Sequence, residues 1–363
     1  MRVLIAPDKF AGTLTAVEAA QAIATGWHRR APGDELDLAP MADGGPGFVD
    51  VLHASLGGDL LAVTVRGPYG GQVPATILLR DSTAYVESAQ ACGRHLAGPD
   101  DDPERATSYG VGELLLRAVD AGATSVVVGL GGGGTNDGGA GLLAALGATG
   151  DAPLDAGSTG LAALNELDLA PARARAQGLA LVAASDVDNP LTGLFGAAKT
   201  YGPQTGIPDE RLPALDGVLE AFAALAGRRE SLEKGAGASG GLGYALFLLG
   251  ATRSPGIELV ADAVGLPARA RGTDLIVTGE GSFDFSSRSG KVPYGVAAVA
   301  AEALRPCIAL AGQVLVGSRE MRTLGVESAY SLVELVGEER ALADPAGALA
   351  DLAERVARTW SRR

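Results

Sequence analysis

Carboxylates, lysines and glycines recur together where apolar runs of this chain end. Asp8-Lys9 follows Val3-Leu-Ile-Ala-Pro7, and Asp43-Gly44-Gly45 follows the weaker run Glu35-Leu-Asp-Leu-Ala39. Gly129-Leu-Gly-Gly-Gly-Gly134-Thr135-Asn136-Asp137 follows Ser125-Val-Val-Val and precedes the apolar stretch 140–146. Asp186 follows Leu179-Ala-Leu-Val-Ala-Ala184, and Thr278-Gly-Glu280-Gly-Ser-Phe-Asp284 follows Asp274-Leu-Ile-Val277, with Ser289-Gly290-Lys291 just beyond. A strand that empties into glycine at a helix start exposes free N–H groups at the positive end of the helix dipole, where phosphate is the usual guest. Carboxylates and a lysine beside two such turns point to phosphoryl transfer.

Three simpler motif readings fail on context. Gly129, Gly131 and Gly134 satisfy G-x-G-x-x-G, but the acid-ended strand that a dinucleotide site needs about 20 residues on is replaced by the loop-like 150–160. Gly237-Ala-Ser239-Gly-Gly241 matches G-x-S-x-G, yet charged residues precede it, and His28, His53 and His95 all come before the serine. No G-x-x-x-x-G-K-[ST] is present.

Composition narrows the class. The 363 residues suffice for one large or two ordinary domains. With 53 glycines and 4% aromatics, the cores must be packed from Ala, Val and Leu with close backbone approaches. A net charge of −14 argues against a nucleic-acid partner but not against a phosphorylated one, since local positive ends and a cation override the global field. Cys92 and Cys307 lie far apart in no metal-ligand spacing and read as buried small residues. The first strand is too short and wrongly flanked for an export signal, and no uncharged run reaches a membrane span; a soluble cytoplasmic protein with no membrane partner is the expectation.

The elements that must position these residues read as βαβ at both ends. Thr15 with Glu18 is a capping box for a helix to about Arg30. Between the ends the rhythm changes: a helix near 46–56, consecutive strands at about 59–66, 73–80 and 83–87, a helix 110–121 and the strand 125–129. Late elements are a helix 257–264, strand 274–278, helix 292–304, strand 307–311, a weak strand 326–332 and a helix 344–360. We expect a discontinuous α/β domain of residues 1–44 and 256–363 carrying an inserted α/β domain, 45–255. The cluster Asp100–Asp102 reads as a solvated loop.

Seven stretches in order resemble the class I bacterial glycerate kinase family across essentially the whole chain. They are Ala6-Pro-Asp-Lys-Phe-Ala-Gly-Thr-Leu14, Met41-Ala-Asp-Gly-Gly45, Gly129 to Gly139, Ser185-Asp-Val-Asp-Asn-Pro-Leu191, Tyr201-Gly-Pro-Gln204, Gly235 to Gly243, and Thr278 to Asp284 with Gly290-Lys291. The resemblance implies a flavodoxin-like parallel-sheet domain holding an insert with a restriction-endonuclease-like core. It also implies ATP- and Mg²⁺-dependent phosphorylation of D-glycerate, with 2-phosphoglycerate favoured as product. The chain departs from the family pattern at Ala11, where a lysine is common, at Gly133-Gly134 and at Phe285-Ser-Ser-Arg288.

Phosphoryl transfer needs an anion cradle, a metal, a positioned hydroxyl and a base. For the cradle and nucleotide we select Gly131, Gly132, Gly133, Gly134, Thr135 and Asn136, with Ser239, Gly240 and Gly241 as a second arm. Lys291, at a helix start where a cation is unfavourable without an anion, is the catalytic lysine. Mg²⁺ candidates are Asp186, Asp284, Glu280 and Asp137, while Asp188 reads as a turn-former. The base is sought among Asp8, Asp43 and Asp186, with Asp186 preferred. Lys9, the N–H groups at Gly44 and Gly45, and Arg66 are candidates for the carboxylate of the substrate. The alternatives are a kinase of another small hydroxy acid and a non-catalytic sensor of a phosphorylated metabolite.

Overall fold

A computed structural model describes the chain except for Ala11, residues 285–290 and residues 362–363. The strands in chain order are β1 (Arg2–Ile5), β2 (Glu35–Leu38), β3 (Asp59–Arg66), β4 (Gln72–Arg80), β5 (Thr83–Glu87), β6 (Ser125–Gly129), β7 (Thr149–Gly150), β8 (Leu167–Asp168), β9 (Ala180–Ala184), β10 (Thr252–Ser254), β11 (Leu275–Phe283), β12 (Cys307–Val314) and β13 (Ser328–Ser331). The chain divides into two compact units. The first comprises Met1–Asp43, Asp50–Gly57 and Gly256–Arg363; the second comprises Gly44–Val49 and Gly58–Pro255. Residues 50–57 therefore belong to the first unit, although the sequence pattern assigns them to the insert.

The first unit is built on a parallel sheet in the order β13-β12-β11-β1-β2. Numbered within the unit that order is 5-4-3-1-2, the doubly wound arrangement of flavodoxin-like folds. Val3, Leu4 and Ile5 are fully buried, as are Leu275, Ile276 and Val277 beside them, which explains why both strands read as unbroken apolar runs. The helix Ala16–Arg30 starts at the capping box of Thr15 and Glu18. It packs on the C-terminal helix Pro345–Trp360, and Trp27 and Ile23 from the first join Leu349, Leu352 and Val356 from the second in the core.

One expected element is different. The segment Thr278–Asp284 reads as a glycine turn, but β11 runs on to Phe283 and β12 to Val314, paired through Gly279↔Leu310, Glu280↔Ala311 and Ser282↔Gln313. A Cβ on Gly279 would sit 2.2 Å from the Leu310 carbonyl oxygen, so the glycine serves close strand approach rather than a turn. Lys291 does stand at the N-cap of the helix Val292–Glu302. The departures at Ala11 and at Phe285–Arg288, and the pair Ser289-Gly290, lie outside the described residues.

The second unit is a six-stranded mixed sheet in the order β10-β9-β6-β5-β4-β3, where the resemblance implies a restriction-endonuclease-like core. β3, β4 and β5 are antiparallel neighbours, whereas β5, β6, β9 and β10 run parallel. Among the described residues no helix is long and apolar enough to cross a membrane.

The helix pair of the first unit meets without a spacer. A Cβ on Gly26 would fall 1.8 Å from the Ala350 carbonyl oxygen. Gly26→Ala is expected to lower the urea midpoint by the equivalent of about 1–3 kcal/mol or more, the cost of forcing backbone apart in a packed core. An unchanged midpoint would show that the two helices can slide freely at this crossing.

Candidate active site

Five parallel strands with helices on both faces leave one crevice outside their carboxyl ends, at the point where strand order reverses. In the first unit that point lies between β1 and β11. The chain leaving β1 is tied to β11 by Ala6 N–H donating to the Val277 carbonyl (2.7 Å) and Asp8 N–H donating to the Gly279 carbonyl (2.8 Å). Thr278 Oγ1 donates to the Ala6 carbonyl at 2.9 Å, and Met41 N–H donates to the Pro7 carbonyl from the β2 side. These bonds aim Asp8, Lys9, Asp43 and Glu280 at a common cavity of about 500 Å³, which Ser282, Lys291 and Gln313 also line. That volume lies in the range of small-molecule sites.

The charges there are interlocked. Lys9 Nζ lies 3.6 Å from Asp8 Oδ1 and 3.9 Å from Asp43 Oδ1, and the Lys9 backbone N–H donates to Asp8 Oδ1 at 2.7 Å. Asp8 is only 6% exposed. Burial pushes its carboxyl from the usual 3.8 up to about 6; Asp43 adds to the rise, and Lys9 holds it back by charge and hydrogen bonds. The result is a carboxylate whose proton exchanges near neutral pH, as a general base requires. Glu280 is also buried. Among the described residues no group of three or more His, Cys, Asp or Glu side chains is placed to hold a metal. Mg²⁺ needs fewer, since it commonly takes one or two carboxylates and completes its shell with water and phosphate oxygens. Asp43 and Glu280, both lining the cavity, are hard oxygen donors of the kind it takes.

The glycine turn of the second unit is built differently from its sequence reading. Five residues separate Gly134 from the short helix Ala140–Ala145. Gly131 N–H donates to the Gly44 carbonyl and Gly134 N–H to the Cys92 carbonyl, so two of the four cradle donors are spent on protein. Added Cβ atoms would strike Gly45 backbone from Gly131, Pro46 from Gly132, Ser239 Oγ from Gly133 and Arg94 backbone from Gly134. The second arm closes on the first: Gly240 approaches the Thr135 carbonyl, Gly241 approaches Gly138, and Ser239 Oγ donates to the Leu130 carbonyl at 2.6 Å. Ser239 (φ 51°), Gly240 and Gly241 all take left-handed backbone to make this fit.

Negative charge does sit at that helix start, but it is the protein's own. Asp137 is wholly buried, and its oxygens accept from Ser108 N–H and Oγ, Gly139 N–H and Gly141 N–H. Burial nonetheless raises its carboxyl above the ordinary range, against the pull of those bonds. With four donors already in place, the Asp137 carboxylate, a metal candidate by sequence, is engaged by protein as a capping acid. Asn136 is buried, donating from Nδ2 to Thr205 Oγ1 at 2.8 Å, while its Oδ1 has no partner among the described residues. Thr135 is buried beside it.

The remaining candidates divide between the units. Asp284 directly follows β11 in the first. Gly44, Gly45, Arg66 and Asp186 belong to the second. Gly44 (φ 87°) spends its carbonyl on Gly131. Arg66 pairs with Asp155 at 2.6 Å and lies 4.9 Å above the Tyr109 ring, which leaves its guanidinium engaged by protein. Asp186 is partly exposed just past β9, and Asp188 pairs with Lys234 and Arg253. Sequence reasoning missed the apolar side of the first-unit cavity, Phe10, Leu332, Val333, Ala341, Leu342 and Pro345. Short helical apolar residues carry no signal that separates a cavity wall from a core.

The model of the glycerate kinase family matches residues 3–361. The chain belongs to that family. It is 43% identical to an uncharacterized protein of Mycobacterium bovis over 98% of this chain and 91% of that one. It is 37% identical to the glycerate 2-kinase of Escherichia coli over 93% of this chain and 92% of that one. A crystal structure provisionally named glycerate kinase 2, from Salmonella typhimurium LT2, superposes with a TM-score of 0.83 at 36% identity, covering 99% of this chain and 98% of that one. The α/β architecture is thus shared with that structure.

If the glycine contacts are packing, Gly133→Val should lower thermal stability while folded protein keeps its affinity for ATP. Lost affinity at unchanged stability would restore the cradle. Asp137→Ala should cost about 3 kcal/mol in urea denaturation, because several buried donors lose their acceptor; a loss below about 0.5 kcal/mol would show that water replaces the carboxylate.

Proposed function

We propose that the chain transfers the γ-phosphoryl group of ATP to a hydroxyl of D-glycerate, giving 2-phosphoglycerate and ADP. Membership of the glycerate kinase family supports the reaction class, and the name of the Escherichia coli relative supports the 2-position. The observation that carries the reading is Asp8: a buried carboxylate at the strand-order switch point, paired with Lys9 and near Asp43, in a cavity of ligand size.

Asp8 accepts the proton of the acceptor hydroxyl as its oxygen attacks the γ-phosphorus. The bond from that phosphorus to the bridging oxygen breaks, and the electrons leave on ADP. Lys9 offsets the charge that gathers at the reacting centre and offers an ammonium to phosphate or to the glycerate carboxylate. Asp43 and Glu280 would hold Mg²⁺, with Asp284 as a further candidate; bound there, the ion screens the phosphate oxygens and so permits an anionic nucleophile to approach. Lys291 lines the same cavity and faces the phosphates in this reading. Asp186 is the second candidate for the base. Thr135 and Asn136 remain candidates for the nucleotide, and the Gly44-Gly45 backbone for the substrate carboxylate. A cytoplasmic setting suits the two buried free thiols, Cys92 and Cys307.

Purified protein with ATP, Mg²⁺ and D-glycerate should release ADP and phosphoglycerate, and chelation should stop it. Asp8→Asn should lower kcat by at least ~10²-fold, the usual cost of losing a general base. Wild-type kcat/KM should rise with pH through about 6, since only ionised Asp8 accepts a proton, and Asp8→Asn should flatten that limb. An unchanged limb with Asp186→Asn the slower variant would move the base to Asp186.

The same group makes an opposite prediction for stability. Asp8 is raised from 3.8 to about 6 in the fold, so between those values the native state holds a proton that the unfolded chain releases. Stability from this group therefore falls as pH rises from about 4 to about 6. Above pH 7, Asp8→Asn should be more stable than wild type by about 1–3 kcal/mol while inactive. Equal stability at pH 5 and 7.5 in both proteins would show that water reaches the carboxylate.

A further inference from the structure

The cavity of the first unit has two chemically opposed walls. Asp8, Lys9, Asp43 and Glu280 form the charged one at the strand ends. The other comes from Phe10 and, for the most part, from the helices Leu332–Val336 and Glu338–Ala343 and the first residue of Pro345–Trp360. It presents Leu332, Val333, Ala341, Leu342 and Pro345, and the exposed Glu338 lines the cavity with them. Leu342 is 61% exposed, a large apolar side chain held at the mouth of a polar cavity. Resting on the proposed reaction, only one of its two reactants uses both walls. Glycerate carries oxygen on each of its three carbons and has no apolar face to bury. ATP has a flat purine joined through a ribose to an anionic chain, and aromatic faces bury well against aliphatic side chains.

We infer that the apolar wall is the adenine subsite, so that the nucleotide is held by the first unit with its phosphates toward Asp8 and Lys9. Glu338 then accepts from the ribose hydroxyls at the rim. The glycine-rich segments of the second unit, closed on each other, are not needed to bind the base. Nucleotide selectivity becomes a property of the C-terminal helices.

The test compares a ligand that has the base with one that lacks it. Wild type, Val333→Asp and Leu342→Asp are titrated with Mg-ADP and with Mg-tripolyphosphate by calorimetry. Val333 is only partly buried and Leu342 exposed, so both variants should fold, which circular dichroism and melting check. The Kd for Mg-ADP should rise at least ~10-fold in each, a change of about 1.4 kcal/mol, with the Kd for tripolyphosphate changed less than about twofold. Unchanged Mg-ADP affinity in the two variants overturns the subsite, and so does an equal loss for both ligands. Should either variant misfold, Leu342→Ala, which removes the apolar surface without adding charge, replaces it and must weaken Mg-ADP alone. Wild-type turnover of glycerate is measured separately. Turnover with unchanged ATP KM in the variants keeps the reaction and rejects the subsite; base-dependent ADP binding without turnover does the reverse.

Discussion

The site of the first unit depends on the pairing of β1 with β11. Val3 lies opposite Leu275 and Ile5 opposite Val277, in a register between segments separated by more than half the chain. Two further backbone bonds, from Ala6 and Asp8 to β11, carry the register past the end of β1. They hold Asp8 and Glu280 on one cavity, and burial then shifts the Asp8 carboxyl toward neutrality. A slip of one residue would turn every side chain to the opposite face. Closing so long a loop costs little more entropy than a moderate one, because that cost grows only logarithmically with length. A two-segment domain is affordable for that reason, provided the strands themselves are apolar enough to seal the sheet.

The second unit rests on a different constraint, the mutual burial of two glycine-rich segments around Asp137. Ser239, Gly240 and Gly241 accept left-handed backbone, and Gly131–Gly134 give up their side-chain space, so that carbonyls and N–H groups of the two segments meet directly. Asp137 then satisfies the donors at the start of Ala140–Ala145 that would otherwise stay unpaired. A buried acid with four donors and a loop with no room for Cβ atoms are two sides of one arrangement. The same physics that makes a helix start attractive to phosphate makes it attractive to a carboxylate of the chain itself.

Much of this was legible before any coordinates. The apolar runs Val3–Ile5 and Leu275–Val277 fall in strands, and the capping box at Thr15 forms as its spacing requires. Asp8, Lys9, Asp43, Glu280 and Lys291 were selected by residue type at strand or helix ends, and they line one cavity. One reading failed and another gained a rival for the same reason. Glycine marks a turn when viewed along the chain, but Gly279 lies in a strand and Gly131–Gly134 lie under other segments. What a missing Cβ makes room for is set by partners distant in sequence.

Local order in the sequence thus determined the strands, the capped helices, the βαβ rhythm at both ends and the acids that end apolar runs. Those features depend on side-chain periodicity and on nearest-neighbour hydrogen bonds, which a single chain segment carries within itself. Only the tertiary structure decided which acids are buried or face a cavity and which are structural. Asp8 and Asp137 are both aspartates beyond the end of a strand. One opens on a cavity beside a lysine, while the other is enclosed by four donors. The difference is one of desolvation and partner geometry, and both are fixed by segments that lie far away along the chain.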